Sequence, residues 1–277
     1  MILIVAGACA VAIWLPQSTS SHTRSPYLQV HFLDVGQGDS ALIETPSGAQ
    51  VLIDGGADGN VLRELSQVMD FGDKTIDMVV GTHPDKDHIG GLIDVLKLYE
   101  VKTILTTENA GETATAKTYS KLKTAEGAEI INARRGQEFA LDASTTLRVI
   151  FPDSDPSDME TNTSSIVLQL VYGDSEFLFM GDSPKSIEEY LVLIEGEHLQ
   201  SDVLKIGHHG SRTSTSELFL DEVQPQFAVI SAGEENSYGH PHVEVTDMLF
   251  NFRVEMLETA EEGTITFLSD GSQLWQQ

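Results

Sequence analysis

Apolar positions recur along this chain with two periods. Residues 28–33 alternate apolar and polar side chains, as a half-buried strand does. Residues 41–44 and 50–53 read as strands around a Pro46-Ser47-Gly48 turn, which predicts a hairpin. Further strands are expected at 76–82, 102–106, 129–132, 147–151, 165–172, 176–180, 203–206, 227–231 and 263–268. Helices are expected at 60–68, 91–99, 115–125, 187–194, 215–222 and 244–251. Strands alternating with helices make this an α/β (α+β) chain. One internal echo is visible. Ser40-Ala41-Leu42-Ile43, Gly48 and Val51-Leu52-Ile53-Asp54-Gly55 are matched about 125 residues later by Ser165-Ile166-Val167-Leu168, Gly173 and Phe177-Leu178-Phe179-Met180-Gly181-Asp182. Two similar halves facing each other would give a sheet-on-sheet core with helices outside.

The first residues break this pattern. Ile2 to Leu15 is a run of 14 apolar or small residues, closed by Pro16. A spanning helix needs about 20, and an export signal begins with Lys or Arg, whereas none precedes Arg24 here. Residues 1–16 are expected to be an apolar membrane anchor or signal-like segment, and residues 17–26 a polar linker. The folded domain is expected over 27–277, in the cell envelope on the extracytoplasmic side, membrane-anchored or secreted.

Composition narrows the function classes. Of 277 residues, 40% are apolar and 21% charged, which excludes a disordered, collagenous or coiled-coil chain. The single Cys9 excludes a disulfide framework and a cysteine-rich zinc module. With 16 basic and 43 acidic residues the formal charge is −27, so nucleic acid is not gripped by bulk charge. Handling phosphates through bound metal stays open. Residues 213–277 hold 12 acids and one base, Arg253, whereas residues 117–148 hold 6 bases against 4 acids. The latter stretch, with Lys121, Lys123, Arg134 and Arg135, is the better track for a DNA backbone.

The segment Thr82-His83-Pro84-Asp85-Lys86-Asp87-His88-Ile89-Gly90-Gly91 carries the chemistry. It places two imidazoles and two carboxylates within six residues, directly after an apolar strand. In an extended turn His83, Asp85 and Asp87 point the same way, and His88 reaches a neighbouring site from the start of a helix. Such donors suit zinc, manganese or iron. The plainer alternative is a polar turn with Asp87 as helix cap. His22, His31 and His198 lie apart from every motif and are not expected to be ligands.

His83-x-Asp85-x-Asp87-His88 resembles the His-x-His-x-Asp-His signature of the metallo-β-lactamase superfamily, with Asp85 replacing the second histidine. Together with residues 33–40 (LDVGQGDS), 52–56 (LIDGG), 181–183 (GDS), 204–211 (LKIGHHGS) and 239–242 (GHPH), it is similar to the extracellular domain of ComEC-type proteins, which pass transforming DNA into bacteria. The resemblance covers about residues 28–275 and implies a four-layer αββα sandwich holding one or two divalent metal ions, zinc or manganese. The N-terminal apolar stretch resembles what remains of a last membrane helix before such a domain.

The resemblance implies site residues one by one. His83, Asp85, Asp87 and His88 match the first metal motif, and Asp182 the aspartate that bridges two metals. The last ligand falls on His209 or His208, with His240 the third choice. Asp54 is expected to brace the metal loop. The histidine that the superfamily supplies before the bridging aspartate is absent, and Asn162 and Ser165 occupy about its place. That leaves one half-site with His83, Asp85, Asp182 and water, an oxygen-rich set that favours manganese or magnesium. Asp34, Gln37 and Asp39 read either as a structural turn or as lining of the metal mouth. Lys205, Ser211 and Arg212 are candidate phosphate contacts, with outward-facing surface residues as the alternative. Tyr238 and His242 flank His240 and would steer a leaving group or simply lie in a solvated loop.

Asp87 and Asp182 are the expected catalytic carboxylates of a metal-dependent hydrolase. The resemblance points to a phosphodiesterase or nuclease acting on single- or double-stranded DNA, with a membrane DNA-channel protein as possible partner. A hydrolase of small phosphoesters or other esters is the alternative. A non-catalytic binding or gating module is a second alternative, suggested by the missing histidine.

Overall fold

The computed structural model describes residues 11–14 and 25–277. The rest of the expected anchor or signal-like segment, and nearly all of the expected linker, lie outside the described residues. In chain order the strands are β1 (Val11–Trp14), β2 (Leu28–Phe32), β3 (Ala41–Glu44), β4 (Gln50–Ile53), β5 (Thr75–Gly81), β6 (Glu100–Thr106), β7 (Glu129–Asn132), β8 (Gln137–Ala140), β9 (Thr145–Phe151), β10 (Val167–Tyr172), β11 (Ser175–Phe179), β12 (Val203–Lys205), β13 (Phe227–Ile230), β14 (Glu255–Glu258), β15 (Ile265–Ser269) and β16 (Leu274–Gln276). The helices are α1 (Asn60–Val68), α2 (Lys86–Ile89), α3 (Leu92–Leu98), α4 (Ala114–Ala125), α5 (Lys185–Glu195), α6 (Glu217–Val223), α7 (Val243–Phe252) and α8 (Thr259–Glu262).

The strands form two eight-stranded sheets, ordered β1-β8-β9-β10-β11-β12-β13-β14 and β16-β15-β2-β3-β4-β5-β6-β7. Their inner faces share one apolar layer, in which Phe32, Phe139, Phe177 and Phe267 are fully buried. The Phe267 ring meets Phe32, Phe177 and Phe227 edge-on at 6.1, 6.1 and 5.2 Å. A second layer, including Leu191, Leu220 and Leu249, packs α5, α6 and α7 on one sheet. A third, including Leu65, Val95 and Tyr119, packs α1, α3 and α4 on the other. The result is a four-layer αββα sandwich.

The echo in the sequence is a real repeat of topology. The antiparallel hairpin β3–β4 continues into parallel β5, β6 and β7. The hairpin β10–β11 likewise continues into parallel β12, β13 and β14. Asp54 follows the last strand of the first hairpin, and Asp182 lies just beyond the last strand of the second. The repeat therefore delivers one carboxylate from each sheet to the same end of the sandwich.

Four strands were not expected from the pattern. β8, β14 and β16 are three or four residues long, too short to show a period. The fourth, β1, lies inside the segment read as an anchor or signal; it runs parallel to β8, from Val11 opposite Gln137 to Trp14 opposite Ala140.

Removing the Phe267 ring should leave a cavity between the sheets. Phe267→Ala is expected to cost about 3–5 kcal/mol, read as a lower midpoint in urea denaturation at constant slope.

Candidate metal centre

The site forms where strand ends from both sheets meet. β5 ends at Gly81, and Thr82 and His83 follow at once. Asp85 occupies the position before α2 but makes no capping bond. Its Oδ2 instead accepts from Thr161 Oγ1 at 3.0 Å and stands 3.8 Å from His83 Nε2. Asp87 lies within α2 rather than on an extended turn, so the expected alternation ends at Asp85. It reaches the site by helical rotation, with Oδ2 3.4 Å from His209 Nε2. Neither aspartate serves as a helix cap, and that plainer reading falls away.

Asp182 is the hub. Its Oδ1 is 3.2 Å from His88 Nε2, and its Oδ2 lies 3.8, 3.7 and 3.7 Å from the Nε2 atoms of His83, His208 and His209. Both members of the histidine doublet thus face one carboxylate. The backbone achieves this by setting consecutive residues in the left-handed region, with φ of 51° at His208 and 55° at His209. Non-glycine residues adopt that conformation at a cost of roughly 1–2 kcal/mol each, and such strain concentrates at functional sites.

A second ring of bonds fixes each imidazole. Asp54 accepts from Thr82 N at 2.9 Å and Thr82 Oγ1 at 2.7 Å, and its Oδ2 lies 2.8 Å from His88 Nδ1. That bond turns His88 Nε2 toward Asp182, the bracing role expected of Asp54. His209 Nδ1 faces Ser231 O at 2.9 Å and Asp39 Oδ1 at 3.0 Å. Asp39 is paired in turn with Lys205 Nζ at 2.8 Å. Ser165 Oγ lies 3.3 Å from His83 Nδ1 and accepts from Asp182 N at 3.1 Å. Ser165 therefore ties His83 to Asp182. Asn162 Oδ1, in the adjoining 3-10 turn, is buried without a hydrogen-bond partner.

The remaining expected residues lie at or outside the rim. His240 makes no ion pair with the site carboxylates among the described residues; its ring stands 5.6 Å from that of His208 and 6.1 Å from that of His209. Tyr238 stacks on it at 5.6 Å and His242 lies 5.0 Å away. Gln37 Oε1 accepts from Gly233 N, and Asp34 closes its own turn by accepting from Gly36 N. Ser211 bonds Thr213, and Arg212 is exposed 3.8 Å from Glu244. Lys205 contradicts both readings of it: it is 4% exposed, so it is neither an outward lysine nor a phosphate contact. The proposed basic track is also largely neutralised. Arg134 pairs with Glu108, Arg135 with Glu195 and Arg148 with Glu138, which leaves Lys117 and Lys121 exposed.

Thr82, Thr161 and the Ser231 carbonyl are contributors that the motifs did not reveal. Thr82 stood directly before His83, and its position was the available signal. A backbone carbonyl such as that of Ser231 leaves no mark in the sequence.

The donor set fits divalent metal. His83 Nε2, His88 Nε2, His209 Nε2 and Asp182 Oδ1 are buried and have no hydrogen-bond partner, a state that native interiors avoid unless an ion or water completes them. Asp39, His88, Asp182 and His209 offer ligand atoms within 4.8 Å of one another. His83 is neutral: burial, with His88 beside it, holds its imidazole at about 3. His240 is similarly held down to about 4 by burial and by His209 and His208. His209 and His88 behave oppositely. Burial pulls both down but is outweighed by carboxylates, Asp182 and Asp39 for His209 and Asp182 and Asp54 for His88. His209 rises to about 9, and His88 well above the usual histidine range. Burial would raise Asp182, yet His88 and His209 hold it well below the ordinary carboxylate range.

Two predictions follow from this geometry. Asp54→Asn removes the acceptor that orients His88 and should weaken metal binding 10- to 100-fold by isothermal titration calorimetry. Without metal the His209 imidazolium contributes stability that is fully present below about 6.5 and is lost as pH rises through about 9. Metal requires neutral rings at both His209 and His88, so binding below pH 9 should release more than one proton and tighten more than tenfold per pH unit. Calorimetry in two buffers of different ionisation enthalpy reads those protons.

Comparison with known proteins agrees with this architecture. Residues 33–234 match the metallo-beta-lactamase superfamily model. The chain is 32% identical over 258 residues to ComE operon protein 3 of Bacillus subtilis, covering 86% of this chain and 33% of that protein. It is 32% identical to Competence protein ComA of Neisseria gonorrhoeae, covering 84% and 31%. The chain therefore spans about a third of the length of the curated relatives it matches. Among solved structures, the metallo-beta-lactamase fold protein YhfI of Bacillus subtilis matches with a TM-score of 0.55 at 12% identity, covering 89% of this chain and 99% of that one, a likeness of fold alone. A sandwich of two facing repeats, a histidine–aspartate cluster at their shared end and a match over most of the folded residues place this chain in the metallo-beta-lactamase superfamily.

Proposed function

We propose that this chain is a metal-dependent phosphodiesterase that cuts DNA, single- or double-stranded, during DNA uptake at the cell envelope. The observation that carries hydrolysis is the convergence of three buried imidazole nitrogens, from His83, His88 and His209, on Asp182. The DNA substrate is supported by the competence proteins among the relatives. Those relatives are about three times longer, and a membrane DNA-channel protein is the proposed partner. No helix among the described residues is long and apolar enough to cross a membrane.

His83, Asp85, His88, Asp87, His208, His209 and Asp182 would hold one or two ions, manganese or zinc. Divalent ions there supply Lewis acidity, polarising a phosphoryl oxygen and acidifying a water. Asp87 stands on the open side, part-exposed, where it can orient that water and accept its proton. Burial would raise the Asp87 carboxyl, yet the hydrogen bond from His209 and the charges of His88 and His209 hold it below the usual carboxylate range. His88 and His209 likewise hold Asp182 ionised, and it would be the carboxylate shared between two ions.

The test follows end-labelled single- and double-stranded DNA on a gel, with the full chain loaded with manganese or separately with zinc. Cleavage is expected with at least one metal, and His88→Ala and Asp182→Ala should each reduce it more than about 100-fold. Hydrolysis of a chromogenic phosphodiester with none of DNA would instead select the small-ester hydrolase. Absence of stoichiometric metal, together with no cleavage, would select the non-catalytic binding or gating module.

A further inference from the structure

A cavity of about 230 Å³ adjoins the metal centre on its helix side. It shares His83 and Pro84 with that centre, and residues from the end of β6 and from α4 line it. Ala110 and Asn132 at its mouth are exposed. Two hydrogen-bond donors in its wall are uncommitted. Tyr119 is 5% exposed, yet its hydroxyl has no hydrogen-bond partner. Lys123 donates to Thr106 Oγ1 at 3.0 Å and lies 5.6 Å from the Tyr119 ring centre, leaving two ammonium protons unused. No carboxylate lies within ion-pair distance of it among the described residues. Glu108, also in the wall, is already bonded by Asn132 and paired with Arg134. Glu108 is thus turned to Arg134 outside the cavity, and the Lys123 ammonium is left without a carboxylate against it, in a chain whose formal charge is −27.

Donors without acceptors select an acceptor-rich ligand, and an uncompensated ammonium selects an anion. Burial holds the Lys123 amine below the usual lysine range, so an incoming negative charge stabilises its charged form. The volume falls under the ~300 Å³ at which pockets begin to take drug-sized ligands. That suits a phosphate group with part of its sugar and excludes a duplex.

We propose that this cavity is a phosphate subsite in which Lys123 and Tyr119 hold one phosphate of the substrate strand while a neighbouring phosphodiester lies at the metal centre. The proposal rests on the phosphodiesterase reading above. The subsite would favour a single strand, which can bend a phosphate into a recess that a stacked duplex cannot enter.

The test measures binding, without catalysis. Fluorescence anisotropy follows a labelled single-stranded oligonucleotide added to the full chain in EDTA over a series of salt concentrations. Lys123→Met should weaken binding about tenfold and reduce the slope of log affinity against log salt by about 0.7. Tyr119→Phe keeps the ring and removes one oxygen that has no protein partner. It should fold normally and weaken binding by roughly threefold, so it carries the test if Lys123→Met does not fold. Unchanged affinity and slope in the folded variants would overturn the subsite. Inorganic phosphate supplies a second arm, read by calorimetry. Phosphate binding lost in Lys123→Met, with oligonucleotide binding unchanged, would assign the cavity to a free anion and overturn the strand assignment. Because the readout needs no turnover, wild-type protein that fails to cut DNA would count against the phosphodiesterase reading and leave this result separate.

Discussion

One buried imidazole is held from both sides by carboxylates that the two halves of the fold supply. His88 is fully buried, with Asp54 at 2.8 Å from Nδ1 and Asp182 at 3.2 Å from Nε2. Asp54 ends the first hairpin repeat and Asp182 the second, so the contact crosses the interface between the sheets. Removing one partner of such a buried charged arrangement leaves the others uncompensated, at a cost of about 3–5 kcal/mol. The apolar layer sets how far apart the sheets lie, and this triplet fixes how their ends face each other. The site is consequently built from the architecture, with loops added around it.

The polar surroundings extend that constraint outward. Lys205 offsets Asp39, Asp39 orients His209, and Ser165 bonds both His83 and Asp182. Each imidazole has one nitrogen fixed by the protein and the other turned inward. This arrangement accounts for Lys205 and Ser165 buried in an acidic protein, where buried polar groups persist when paired.

Much of this was legible in the sequence because it depends on periodicity and on residue type. The alternation in β2 exposed a strand, the turn between β3 and β4 exposed a hairpin, and the echo of that hairpin in β10 and β11 exposed the two-sheet plan. The family motifs pointed to His83, Asp85, Asp87, His88 and Asp182. What stayed hidden depended on three-dimensional pairing. Lys205 reads as any strand lysine until Asp39 is seen against it. The doublet looks like one ligand and one neighbour until positive φ at both positions turns each toward Asp182. β8, β14 and β16 are sheet members because longer neighbours supply their hydrogen bonds, so their own sequences need no period. The arginines at 134, 135 and 148 formed a basic stretch in sequence, but Arg134 and Arg135 find carboxylates from outside it, at Glu108 and Glu195, and Arg148 finds Glu138 on the adjacent strand.

Gly38 shows how little room the centre has for adjustment. Its φ is 128°, and a Cβ there would lie 2.1 Å from the carbonyl oxygen of Asp87. The next residue donates its backbone N–H to that same oxygen at 3.2 Å. The turn bearing Asp39 and the helix bearing Asp87 and His88 are thus in backbone contact, with no side chain between them to yield. The segment that carries Asp39, which orients His209, and the helix that carries Asp87 and His88 therefore hold a fixed spacing, set by main-chain packing at a glycine and not by any side chain of the centre.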